Sequence, residues 1–198
     1  MMRTDRIRHL ILFLLATTLL ASLAKADDVP QERRGLMLGF NVGGANAVLA
    51  YDRFGTAIER EIEGGSGAAV RVGIGLSNSV VLGLEGHGIS KKDGPEELSA
   101  GAGLVTLTWY PGGGGFFLRG GVGTAQATLL LAAPVGADWV EREGDAGLLG
   151  IGYEWRLGRQ FALGIALDAV GIEYQDLPGF EDTTLGFGSA SLQLNWFL

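Results

Sequence analysis

Ser189-Ala-Ser-Leu-Gln-Leu-Asn-Trp-Phe-Leu198 alternates polar and apolar residues up to the last position of the chain. Leu192, Leu194, Trp196 and Leu198 fall on one face and Ser189, Ser191, Gln193 and Asn195 on the other. That is the two-residue period of a strand, not the 3.6-residue period of a helix. A strand in this position has a hydrogen-bonding edge to fill. Left open in water it would template aggregation, and in hydrocarbon its bare amides would be prohibitive. The expectation is that it pairs with the first strand of its own chain and closes a barrel.

Seven earlier segments repeat the pattern. Leu36, Leu38, Phe40 and Val42 oppose Gly39, Asn41 and Gly43; Val70, Val72, Ile74 and Leu76 oppose Arg71, Gly73 and Gly75. Val80, Leu82 and Leu84 face away from Gly83, Glu85 and His87, and Val105, Leu107 and Trp109 from Thr106 and Thr108. Leu118 and Val122 oppose Arg119, Gly121 and Gly123; Leu149, Ile151, Tyr153 and Trp155 oppose Gly150, Gly152, Glu154 and Arg156. Phe161, Leu163, Ile165 and Leu167 complete the set against Gly164 and Asp168. Eight strands are therefore expected.

The connections alternate in length. Long ones (44–67, 90–98, 128–145 and 175–183) follow segments one, three, five and seven; short ones (Ser77-Asn78-Ser79, 111–115 and Gly158-Arg159-Gln160) follow two, four and six. An even-stranded outer-membrane barrel has short periplasmic turns and long external loops, and the order here matches at every connection. The reading is an all-β protein: an eight-stranded antiparallel up-and-down transmembrane β-barrel spanning 36–198. A soluble ligand-binding barrel would carry the reverse polarity, with the apolar face inward. Here the face opposite the apolar one holds glycine, threonine and charge.

Residues 1–26 supply the compartment. Arg3, Arg6 and Arg8 precede an apolar run that ends before Ala24-Lys25-Ala26, the form of a cleavable secretory signal, and the run is shorter than the ~20 residues a retained helical span needs. Residues 27–35 read as a short polar periplasmic segment. Cysteine is absent, which excludes a lipoprotein anchor, disulfides and thiolate metal sites. Without 1–26 the chain carries about ten net negative charges, which argues against nucleic-acid binding. Glycine contributes 34 of 198 residues, mostly within the alternating segments. A narrow lumen is crowded, and a residue without a side chain relieves that crowding.

Trp109, Phe116, Trp155, Phe161 and Trp196 lie near the short-turn ends of the apolar face and read as an aromatic girdle at the periplasmic boundary. Together with the signal segment, the glycine-rich strands, the stretch Gly150-Ile-Gly-Tyr-Glu-Trp-Arg-Leu-Gly-Arg-Gln-Phe-Ala-Leu163 and the aromatic terminal strand, they give the chain its likeness. It resembles the small outer-membrane β-barrels of Gram-negative bacteria, of the opacity-protein and outer-membrane protein A membrane-domain type. The resemblance implies insertion by the outer-membrane assembly machinery, which in that family reads the last strand; here Leu192, Leu194, Trp196, Phe197 and Leu198 would be read. The chain departs from the family in ending on Leu198, with Phe197 penultimate.

The inward-facing charges Arg71, Glu85, His87, Arg119, Glu154, Arg156 and Asp168 are the one constellation with chemical content. Counted from the short turns, Arg119, Glu154 and Arg156 are expected close together near the periplasmic end, Glu85 and Asp168 further in, His87 further still, and Arg71 toward the external side. An unpaired charge in so narrow an interior costs several kcal/mol, so opposite charges should pair. The set reads as a salt-bridged plug; the alternative is a narrow gated channel in which pairs exchange. A lipid-modifying enzyme is a third reading, but Ser90 has the opposite parity to Glu85 and His87 and would point away from them. Gly73-Ile-Gly75, Gly121-Val-Gly123 and the glycines of 112–115 lack the following Gly-Lys-Ser/Thr of a phosphate loop.

The long connections carry Glu59, Glu61 and Glu63; Asp93, Glu96 and Glu97; Glu141, Glu143 and Asp145; and Asp176, Glu181 and Asp182. These read as a solvated, repulsive surface, or as carboxylates that share divalent cations with lipopolysaccharide phosphates or meet a basic partner. The expected role is structural or surface contact (envelope integrity, adhesion or ligand contact) by a monomer in outer-membrane lipid and lipopolysaccharide. No cofactor, metal or nucleic-acid partner is expected.

Overall fold

The computed structural model describes residues 33–53, 56–93, 96–133, 136–174 and 181–198. The signal segment expected at 1–26 lies outside them. Eight strands follow in chain order: β1 (Gly35–Arg53), β2 (Thr56–Ser77), β3 (Val80–Asp93), β4 (Glu96–Trp109), β5 (Phe116–Ala133), β6 (Gly136–Arg156), β7 (Phe161–Tyr174) and β8 (Glu181–Phe197). Each pairs antiparallel with the next, and β8 returns to β1, so the sheet is a closed barrel. At the seam Leu38 lies opposite Trp196, Phe40 opposite Leu194 and Val42 opposite Leu192. The terminal strand thus finds the partner that its alternation requires.

The long connections differ from expectation. The first three are not loops but continuations of the ladder: β1 and β2 remain paired through Arg53 and Thr56, β3 and β4 through Asp93 and Glu96, and β5 and β6 through Ala133 and Gly136; of the fourth, residues 175–180 lie outside the described residues. The stretch 44–67 therefore lengthens two strands and adds no pair. β2 alone has 22 residues, roughly 70 Å of extended chain, where crossing a bilayer takes about 9–11 residues. The apolar stripe ends where it would leave lipid, but backbone amides still need partners beyond it, so pairing outlasts the signal that announces it.

Two polarity regimes divide the barrel. Toward the short turns the apolar residues face outward: Phe40, Val42, Val70, Ile74, Leu84, Val105, Leu163 and Leu192 are all exposed. A soluble monomer rarely shows so extensive an apolar surface, and here it forms a continuous outer band suited to hydrocarbon. Toward the long hairpins the pattern inverts. Leu49, Ile89, Leu98, Leu104, Leu148, Val170, Ile172, Leu185 and Phe187 pack inward as one core, while Gly44, Asn46, Ser66, Thr124, Glu143 and Glu173 face out. Burying each large side chain of this core contributes about 1.5–3 kcal/mol, so the upper barrel is held as a water-exposed domain is held.

A bulge sets the face of the protruding hairpin. Ala45 lies opposite Gly65 but Ala47 lies opposite Ile62, so β2 holds one residue more than β1 over that interval. Gly64 absorbs the irregularity with φ of 74°, and its amide donates to Asn46 Oδ1 at 2.9 Å. Below the bulge, odd-numbered Gly67, Ala69 and Arg71 point inward; above it, Ile62 packs against the upper core, and Glu59, Glu61 and Glu63 are left exposed.

Candidate functional site

The short-turn half of the lumen holds two polar layers. In the middle layer Arg71 of β2 lies opposite Glu85 of β3 and grips it with two bonds, Nε to Oε2 at 2.8 Å and Nη2 to Oε1 at 2.7 Å. His87, two residues along β3 on the same face, places Nε2 at 2.8 Å from Oε1 of Glu85. Arg119 of β5 bridges across the lumen, with Nη2 donating to Asp168 Oδ1 of β7 at 2.5 Å and Nη1 at 3.3 Å from Glu85 Oε1. The ion pairs span the barrel from β2 to β7. All five residues are buried.

Space for this layer comes from glycine. Gly150 lies opposite both Arg119 and Asp168, and a Cβ there would run into Asp168 Oδ1 and come within 3.3 Å of Arg119 Nε. A side chain at this position would force the Asp168 carboxylate away from the place where it meets Arg119.

The lower layer is centred on Glu154 of β6. Arg33, from the segment before β1, donates Nε and Nη2 to Glu154 Oε1 at 3.0 and 2.9 Å. Asn195 Nδ2 of β8 and the Tyr110 hydroxyl donate to Oε2 at 2.9 and 3.2 Å. The same guanidinium donates to the carbonyls of Asn78, Gly113 and Gly114 at 2.9, 2.9 and 2.7 Å and lies 3.6 Å from the centre of the Tyr110 ring. Arg33 thereby ties the β2–β3 turn, the β4–β5 turn and β6 together at the mouth of the barrel, and it is 0% exposed. Gly75 admits the segment, because a Cβ there would occupy the place of the Arg33 carbonyl. Arg156 covers the Phe197 ring at 3.9 Å and donates Nη1 to the Arg159 carbonyl at 3.3 Å.

The seven charged residues singled out from the sequence all point into the lumen, but in different groupings. Arg119 does not join Glu154. The β5–β6 register sets Arg119 opposite Gly150 and Phe116 opposite Tyr153, so Glu154 lies four residues nearer the mouth. Arg71 is not at the external side either, because β2 continues fifteen residues beyond it to Thr56, which leaves it at mid-barrel beside Glu85. Distance from a turn misleads in both cases because neighbouring strands have unequal lengths and tilt across one another.

Arg33 was missed by sequence reasoning, which assigned it to a solvated tail. Its parity carried the signal: 33, 35, 37, 39 and 41 continue one face, and Met37 and Asn41 on that face are buried in the lumen. Of the proposed girdle, Trp109, Phe116, Phe161 and Trp196 are exposed on the outer face and Trp155 is half-buried there. Phe161 stacks on Trp196 at 5.7 Å between β7 and β8, and Tyr153 lies against Trp155 at 5.1 Å. On β8, Leu192, Leu194, Trp196 and Leu198 face out, while Phe197 is buried beneath Arg156. Ser90 is exposed on the outer face, away from Glu85 and His87. Of the acidic residues, Glu59, Glu61, Glu63, Glu143 and Asp145 are exposed. The side chains of Asp93, Glu96, Glu97, Glu141, Asp176, Glu181 and Asp182 lie outside the description. Among the described residues no group of three or more His, Asp or Glu has metal-holding geometry.

No protein-family model matches the chain, and no curated protein matches it significantly in sequence. Solved structures do match. Ail, the attachment invasion locus protein of Yersinia pestis, aligns over 82% of this chain and 99% of its own with a TM-score of 0.56 and 10% identity. The same protein in complex with the heparin analogue sucrose octasulfate aligns over 81% and 99% with a TM-score of 0.51 and 8% identity. The outer membrane protein OprG from Pseudomonas aeruginosa aligns over 85% and 98% with a TM-score of 0.44 and 12% identity. At these identities the likeness is one of fold. The chain has the fold of the small eight-stranded outer-membrane β-barrels that its sequence resembles.

Proposed function

We propose that this chain is a surface-contact protein of the Gram-negative outer membrane, in which the barrel is a sealed anchor and the β1–β2 hairpin is the contact element. The observation that carries this reading is an open strand edge. Among the described residues, β2 pairs with β3 only from Ser66, opposite Ser90, downward, whereas its pairing with β1 continues to Thr56. Residues 56–65 thus offer unpaired amides and carbonyls on one side, a template for an added strand. Glu59, Glu61 and Glu63 line the outer face of that edge. A second copy pairing there would set carboxylate against carboxylate, and a polyanion would meet the same repulsion. The complementary occupant is an extended segment of a partner protein with lysine or arginine at alternate positions.

Sealing supports anchoring over conduction. The Arg33 layer, the Arg71–Glu85–Arg119–Asp168 layer and the apolar upper core lie in series along the lumen. A channel reading must move all three. Catalysis has less support still, since Ser90 and the Glu85–His87 pair face opposite sides of the wall.

The test titrates the barrel in bicelles with a synthetic peptide of alternating Lys and Thr and, separately, with one of alternating Glu and Thr, while amide hydrogen exchange is followed. The lysine peptide should bind and slow exchange within 56–65. Each cross-strand charge pair contributes roughly 0.5 kcal/mol, so Glu59→Gln/Glu61→Gln/Glu63→Gln should weaken binding about tenfold. Unchanged exchange in 56–65 would reject the strand-addition reading.

A further inference from the structure

Between the middle charge layer and the upper apolar core lies a small cavity bounded by Asn41, His87, Asp168, Phe187, Ser189 and Ser191 among others, with room for one water-sized guest. Three polar atoms of its lining are buried without a hydrogen-bond partner: Asn41 Nδ2, Asp168 Oδ2 and Ser191 Oγ. Asn41 and Asp168 are 3% and 4% exposed, so neither can turn to bulk solvent. These atoms come from β1 and β8, which form the closure seam, and from β7, the next strand.

Register explains why they do not bond one another directly. Asn41 lies opposite Gln193, which makes Ser191 its diagonal neighbour; Asp168 lies opposite Ser189, which makes Ser191 its diagonal neighbour as well. Diagonal positions are about 7–8 Å apart, too far for short side chains to meet and close to the span of a single bridging molecule. The guest must accept from an amide, donate to a carboxylate and exchange a bond with a hydroxyl. A cation is opposed by the Asn41 amide and by the Arg119 guanidinium already on Asp168; an anion is opposed by the carboxylate itself. A neutral molecule that both donates and accepts remains.

We propose that one ordered water molecule occupies this cavity, accepting from Asn41 Nδ2 and donating to Asp168 Oδ2, with Ser191 Oγ as its third partner. The water staples β1 to β8 and β8 to β7 on the lumen side, where the barrel closes. It also completes the carboxylate that Arg119 satisfies on one oxygen only. The site is independent of the surface-contact reading.

The experiment is water-selective nuclear Overhauser spectroscopy on the 15N-labelled barrel in bicelles. A long-lived water should give the Asn41 side-chain amide a cross-peak with the sign of slow tumbling. Ser191→Val fills the space and should abolish the peak. Ser191→Ala keeps the space but removes one partner and should reduce the peak at least twofold, which provides a readout if the valine variant does not fold. Absence of the peak in the folded wild-type protein overturns the proposal. So does a potassium-dependent shift of the Asn41 amide resonances, which would identify a bound cation.

Discussion

Arg33→Ala is the perturbation that discriminates best between a built plug and a tail that happens to lie near the barrel. The guanidinium makes two bonds to Glu154 and one to each of three turn carbonyls, and both side chains of the ion pair are 0% exposed. Removing one partner of a buried pair costs about 3–5 kcal/mol, because the remaining charge stays out of water without compensation. Glu154 keeps the Asn195 and Tyr110 donors, which places the expected cost at the lower end, about 3 kcal/mol, or roughly a hundredfold in the unfolding equilibrium. Glu154→Gln removes the charge instead, so Arg33→Ala/Glu154→Gln should be less destabilised than the sum of the single variants by about 2 kcal/mol. The assay is reversible urea unfolding in lipid vesicles, followed by tryptophan fluorescence. A single-variant cost below 1 kcal/mol, or a coupling near zero, would refute the claim that Arg33 holds the mouth.

Other expectations follow from the same geometry. Gly150→Val should break the Arg119–Asp168 pair and cost about 2–4 kcal/mol in the same assay, whereas Gly147→Ala, whose Cβ would meet nothing, should stay within about 0.5 kcal/mol. Leu163→Arg on the outer band should cost about 2–4 kcal/mol in bilayers, and Gln126→Arg, exposed beyond the band, should cost almost nothing. Planar bilayers holding the purified barrel should show no discrete conductance steps; steps that change in Arg119→Ala would favour the gated channel. Heparin, a polyanion of the class whose analogue was crystallised with Ail, should not be retained at low salt by this acidic barrel.

The membrane-facing half of the fold was legible because lipid imposes a simple rule. Leu192, Leu194, Trp196 and Leu198 must all look outward, and a two-residue period shows that without reference to any distant residue. Closure was legible for the same reason, since an apolar edge in hydrocarbon has to be paired. The hairpin extensions were not legible as strands. Ala45, Ala47 and Leu49 alternate with Asn46 and Val48, but there the inward face is the apolar one, and the glycine bulge at Gly64 shifts the parity of β2 by one residue. A reader who follows the outward apolar stripe sees it stop and infers a loop; the ladder continues with its polarity reversed.

The lumen shows why parity can be read from sequence while pairing cannot. Arg71, Glu85, Arg119, Glu154 and Asp168 are all assigned to the interior by alternation, which is a local property of each strand. Which carboxylate meets which guanidinium depends on the register between strands, and register is a property of the closed sheet. Arg119 reaches Asp168 because Gly150 stands between them without a side chain, and Glu154 is left for Arg33 because it lies at the level of the short turns. The mouth is sealed by a residue that precedes the first strand, and the reason is again electrostatic. Arg119 and Arg71 are committed to the middle layer and Arg156 is turned over the Phe197 ring, and the inward parity of β1, extended back by one turn of the pleat, delivers Arg33 to the buried Glu154.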